Sequence, residues 1–179
     1  MKKITFMFLS TALILFVFSF SANATVLVQV HGGPAYTNLP DLYELNTSSA
    51  AGLHLGGRVR ISKYGSLYAE YERYFGIHTD ESLNLQAISF GINCDFPGPI
   101  SLIGAVGNYS GNYRRYPYEN YRDLENSWGA KWGVLFEQTI FPLVKLNAGI
   151  NRRYLEMRGY NGPYNMSGTE IRGGITWGF

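Results

Sequence analysis

The side chains that could do chemistry are few. His78, Asp80 and Ser82 sit within five residues of one another in a short polar stretch. A nucleophilic serine beside a basic histidine and a carboxylate is the constellation of acyl transfer. Here the three types only approximate it, because nothing in their spacing orients one toward the next, and no catalytic residue is assigned. The other histidines, His31 and His54, fall on the polar phase of alternating segments and read as satisfied interior side chains. Cys94 is the only cysteine, which excludes an intramolecular disulfide framework and any Cys-rich zinc site. No metal-ligand spacing and no phosphate-cradling loop occurs, since the glycine pairs lie inside strand-like runs. No metal and no cofactor is expected.

The elements that must position these residues begin with a leader. Lys2 and Lys3 precede an apolar run from Ile4 to about Phe20, followed by Ser21-Ala22-Asn23-Ala24. This is the order of a secretory signal peptide, residues 1–24, with cleavage after Ala24. The formal charge is 15 − 13 = +2, and losing Lys2 and Lys3 leaves 13 − 13 = 0 over residues 25–179, one domain. A neutral chain is not a nucleic-acid binder.

Residues 25–179 carry no long helical stripe. They alternate apolar with polar or small residues over about ten positions, eight times, between clusters of Gly, Pro, Asn and Asp. Trp128, Ala130, Trp132, Val134 and Phe136 alternate with Gly129, Lys131, Gly133 and Glu137. Leu53, Leu55, Val59 and Ile61 alternate with His54, Gly56, Arg58 and Arg60, and Val144, Leu146 and Ile150 with Lys145, Asn147 and Asn151. At the end, Ile171, Ile175, Trp177 and Phe179 alternate with Arg172, Gly174 and Thr176. Large apolar residues on one face, with glycine and charge on the other, predict an all-β, eight-stranded antiparallel transmembrane up-and-down barrel. Two segments are less plain: the phase slips between Leu83, Leu85 and Ile88, suggesting a bulge, and 100–109 reads in either phase.

Connections support the barrel. Expected outer loops are 34–48, 77–81, 109–126 and 157–168, and expected inner turns are 62–66, 95–99 and 139–142. Long loops thus fall on one side and short turns on the other.

The alternating apolar ending on Phe179 resembles the C-terminal signal by which the barrel assembly machinery recognises its substrates. The whole of 25–179 resembles the small outer-membrane barrels of the OmpA-barrel, OmpX and Ail-like group, without a subfamily motif. That resemblance implies a bacterial outer membrane, a monomer, and partners that include outer-membrane lipid, lipopolysaccharide and the assembly machinery.

The inward phase collects a lumen charge network of Arg58, Glu70, Glu72, Lys131, Glu137, Lys145 and Arg172, with Arg60, Arg153 and Glu170. Arg58 is expected opposite Glu70, and Glu137 opposite Lys145. Eight strands enclose a lumen that side chains can fill, which favours a plug over a narrow channel. Arg73 and Arg152 are outward cations near the outer strand ends, flanked by Tyr74, Phe75 and Tyr154, and are expected to pair with lipid phosphates. The third loop offers Tyr113, Arg114, Arg115, Tyr116, Tyr118 and Tyr121, and the fourth adds Arg158, Tyr160 and Tyr164. Tyrosine with arginine is a composition suited to binding a host or surface ligand. The expected role is non-enzymatic: envelope integrity, adhesion or surface interaction. A lipid A or phospholipid-modifying enzyme using His78 and Ser82, and a narrow channel, are the alternatives.

Overall fold

A computed structural model describes residues 28–39, 49–76, 82–114, 120, 122–160 and 162–178. The signal segment, His78, Asp80, Arg115, Tyr116, Tyr118, Tyr121 and Phe179 lie outside them.

Period-two alternation becomes a closed antiparallel barrel. Its wall is β1 (Val28–Asn38), β2 (Ser49–Ser62), β3 (Gly65–Gly76), β4 (Ser82–Asp95), β5 (Ile100–Arg114), β6 (Arg122–Phe141), β7 (Val144–Tyr154) and β10 (Gly168–Gly178), each paired with its sequence neighbour in the wall and β10 with β1. Between β7 and β10 a small hairpin intervenes, β8 (Glu156–Gly159) with β9 (Gly162–Asn165). The inner turns are short: Lys63–Tyr64, 96–99 and Pro142–Leu143.

Following paired residues round the wall, from Gln138 through Leu146, Ile175, Gly32, Leu55, Tyr71, Ile88 and Asn108, returns to β6 at Trp128. The displacement is 138 − 128 = 10 residues. For eight strands that stagger requires a tilt of about 40–45° and leaves only a narrow bore.

The facing follows the expected phase. Leu53, Leu55, Phe90, Trp132, Ile150, Ile171, Ile175 and Trp177 are exposed on the outer wall. Their exposure makes an apolar belt that only a lipid environment would satisfy. The slip at Leu83 and Leu85 is not a bulge, because β4 pairs in unbroken register with both neighbours. Both leucines point into the lumen, 2% and 0% exposed, where they help form an apolar cap. Segment 100–109 takes the phase that buries Ser101, Ile103, Ala105 and Tyr109.

Two register expectations are corrected. The β2–β3 turn uses only Lys63 and Tyr64, and a bulge between Arg60 and Ser62 moves the register further, so Arg58 faces Tyr68 and Glu70 faces Gly56. A bulge between Thr139 and Phe141 likewise sets Glu137 opposite Asn147 and Lys145 opposite Thr139. The third outer loop is shorter than expected because β5 runs to Arg114 and β6 starts at Arg122.

Leu55 lies midway along the outward run of β2. Leu55→Arg should cost about 2–4 kcal/mol of folding free energy in lipid vesicles, and Asn108→Arg, nearer the outer interface, about 0–1. Urea titration followed by tryptophan fluorescence measures both.

Candidate functional site

Three layers fill the lumen. In the middle one, Glu70 is the hub. Lys131 Nζ donates to its Oε1 at 2.7 Å, and Arg172 Nη1 donates to both oxygens at 2.8 and 2.9 Å. His31 Nε2 and His54 Nδ1 reach Oε2 at 2.9 and 3.2 Å. Five approaches thus converge on one buried carboxylate. Lys131 also bonds Glu72.

Just above, Glu170 accepts from the Tyr74 hydroxyl at 2.5 Å and from Asn151 Nδ2 at 2.8 Å. Arg153, fully buried, donates to Thr37 Oγ1 at 2.6 Å. Its guanidinium lies 5.0 Å from the Tyr74 ring centre and 5.8 Å from that of Tyr109, within cation–π range.

The layer toward the short turns is held by Arg58, which donates to Gln29 at 2.7 Å and to both Glu137 oxygens at 2.8 and 2.9 Å. Lys145 approaches the same carboxylate at 3.5 Å. Arg58, Glu70, Glu72, Lys131 and Arg172 are buried in the lumen and Glu137 and Lys145 half-buried; Lys145 still meets Glu137 despite the shifted register, whereas Arg58 reaches across the bore to Glu137 and not to Glu70. Sequence reading missed one member. Asp95 lies 3.7 Å from Arg60 and accepts from Asn93 and Ser101, each at 2.8 Å. It ends an alternating run, where its inward phase was the available signal.

The third layer, toward the outer mouth, is apolar. Leu83, Leu85, Tyr109, Tyr113, Leu124, Leu155, Met157, Tyr164 and Met166 form one buried cluster. The β8–β9 hairpin supplies Met157 and Tyr164, so part of the expected fourth loop folds in over the bore. Tyr113 is accordingly not on a loop surface. It stands in β5, 3% exposed, edge-on to Tyr164 with ring centres 5.5 Å apart and hydroxyls at 3.1 Å. Arg114 closes β5. At the hairpin tip Tyr160 is 81% exposed beneath Arg122, whose guanidinium lies 4.7 Å from its ring centre, and Arg158 is exposed nearby in sequence.

Arg73 and Arg152 both face outward, but β3 and β7 are separated by three strands on either side of the wall. They are independent positions. Arg73 stacks over Phe75 at 4.9 Å and donates to Asn84 at 3.4 Å; Arg152 lies 5.9 Å from the Tyr154 ring centre and donates to Thr169 at 3.3 Å.

His31, His54 and Glu70 place one donor atom each within 4.8 Å of one another, a set that could in principle hold a metal ion. The donors do not favour one. A carboxylate has about four lone-pair sites, and those of Glu70 already face Lys131, Arg172 and both imidazoles. A cation there would meet the lysine and arginine charges. The cavity beside the histidines is about 20 Å³, room for roughly one water.

These features define a class. A closed eight-stranded wall with an apolar outer belt and a polar, filled interior is the architecture of the small outer-membrane barrels, and the chain has that fold. Among solved structures, Neisserial surface protein A aligns at a TM-score of 0.61 with 20% identity, over 86% of this chain and 97% of its own. The attachment invasion locus protein Ail of Yersinia pestis aligns at 0.61 with 13% identity, over 87% and 100%. OprG of Pseudomonas aeruginosa aligns at 0.60 with 8% identity, over 89% and 99%. At these identities the likeness is one of fold. No protein-family model and no curated protein matches the chain.

Removing the hub strips Arg172 of its two-oxygen partner and leaves Lys131 with Glu72 alone. Glu70→Ala should lower the unfolding free energy by about 3–5 kcal/mol, and Arg60→Ala, half-exposed near the short turns, by about 0–1. Urea unfolding in vesicles distinguishes them.

Proposed function

We propose that the protein is a non-enzymatic outer-membrane barrel that closes its own bore and presents its outer rim for adhesion or another surface interaction, contributing to envelope integrity. The filled lumen carries this reading. Among the described residues, charges paired across the bore lie beneath an apolar cap, which supports a bore closed to ions and solutes. A rigid closed wall then serves chiefly as a support for whatever stands at its outer end.

The rim has the composition for recognition. Arg122 over Tyr160, with Arg158, offers aromatic area and guanidinium donors at the hairpin tip. The segment 115–121, between β5 and β6, adds Arg115, Tyr116, Tyr118 and Tyr121. One structure of Ail was obtained with the heparin analogue sucrose octasulfate, so this architecture is compatible with an anionic ligand. Arg73 and Arg152 fit lipopolysaccharide phosphates at two separate places on the wall, each beside an aromatic ring.

In planar bilayers the purified barrel should give no stable conductance steps; a reproducible single-channel current would reject the closed-bore reading. Replacing 115–121 by a short Gly-Ser link, together with Tyr160→Ala, should abolish binding of whole cells to a ligand-coated surface while heat-modifiable migration of the folded barrel persists. Binding that survives this variant would place the activity elsewhere.

A further inference from the structure

Above its apolar belt the outer wall changes character on the sector formed by β4, β5 and β6. On β4 the outward residues Phe90 and Ile88 give way to Gln86 and Asn84; on β5 Val106 gives way to Ser110 and Asn112. A bulge between Tyr109 and Gly111 leaves β6 with an extra residue there, and Asn126 and Asp123 complete the patch. Together Asn84, Gln86, Ser110, Asn112, Asp123 and Asn126 line an open pocket of about 310 Å³. Trp128 stands at its lower edge, two positions beyond Asn126 and 69% exposed.

Such a patch is unexpected for a wall that meets only acyl chains, and it has capacity to spare. Asn112 Oδ1 is shielded from solvent yet has no protein donor. Amides, a hydroxyl and one carboxylate offer paired donors and acceptors, which suits vicinal hydroxyl groups of a sugar. Phosphate fits less well, because Asp123 would repel it. An exposed indole beside them supplies an apolar face for a pyranose ring.

We propose that this pocket binds the saccharide headgroup of an outer-leaflet glycolipid. A membrane source is favoured over a soluble sugar because the pocket continues the lipid-facing wall directly. Arg73, at its lower margin, donates to Asn84 at 3.4 Å and is placed for an acidic group nearer the acyl chains. The proposal rests on the function proposed above, with the short turns facing inward and the β8–β9 hairpin at the outer end.

The test uses the full barrel in phospholipid nanodiscs, with rough lipopolysaccharide, its deacylated core oligosaccharide, or lipid A without core sugars. The combined variant Asn84→Ala, Asn112→Ala, Asn126→Ala should bind rough lipopolysaccharide about ten-fold more weakly than wild type, the loss of one or two hydrogen bonds. Binding of lipid A alone should be unchanged by the variant. If the variant does not refold, Asn84→Ser with Asn126→Ser is read the same way. Equal retention of lipopolysaccharide by variant and wild type overturns the proposal, and so does core oligosaccharide binding as tightly as the intact glycolipid. Orientation is tested separately by Asn120→Cys in a Cys94→Ser background. Labelling of intact cells by an impermeant maleimide upholds it, so that a negative binding result then counts against the pocket alone; absence of labelling removes the orientation and the proposal with it.

Discussion

Closure of the backbone ladder between β1 and β10 is the constraint on which the rest of the molecule depends. Hydrocarbon offers backbone N–H and C=O groups no partner, so a sheet crossing it must have no free edge. Closing with eight strands and a displacement of ten residues sets the bore. The seam itself is tight. A side chain at Gly33 would meet the carbonyl of Gly173 and the Cα of Gly174, and Pro34, which has no N–H, falls where the β1–β10 pairing is interrupted between Gly32 and Ala35. His54 Nε2 lies 3.3 Å from the Gly173 carbonyl, so the hub of the lumen is tied to the closing strand.

A narrow bore forces its side chains to satisfy one another. Burying an ion is expensive unless it is paired and hydrogen-bonded, and the middle layer offsets much of that cost by setting Glu70, Glu72 and Glu170 against Lys131, Arg153 and Arg172. Partners come from opposite walls: Arg172 on β10 and Lys131 on β6 both reach Glu70 on β3. Such links brace the cylinder across its diameter, where hydrogen bonding between neighbouring strands cannot.

The strand faces were legible in the sequence because a two-residue period survives translation into structure without knowledge of the partner. Pairing was less legible. Each bulge adds one residue to one strand, and the extra residues Ile61 and Ile140 are apolar members of otherwise regular runs, so nothing in the pattern marks them. Cross-bore contacts such as Arg58 with Glu137, 79 residues apart, are set by stagger and bore width together. The cap was hidden for another reason. Leu83, Leu85, Tyr113 and Met157 lie on the inward phase, and apolar residues there contradict a uniformly polar lumen; their phase was visible, but a bulge and an exposed loop were the simpler readings. Only the hairpin folding back over the mouth gives those side chains a common place.

Polarity along the bore argues where activity can reside. Moving outward, the contents pass from polar pairs open toward the short turns, through a dense ionic layer, to an apolar cap with little capacity for water. A solute path would have to part these buried pairs and then cross an apolar layer that offers an ion little solvation. The outer surface carries no such obligation. Above the belt its outward side chains need not meet acyl chains, and there the sequence places its exposed tyrosine and arginine and its amide-rich sector. On the proposed function, stability and recognition are thereby separated: the inside of the wall is committed to holding the barrel closed, and chemistry left over for other molecules lies outside, at the end away from the short turns.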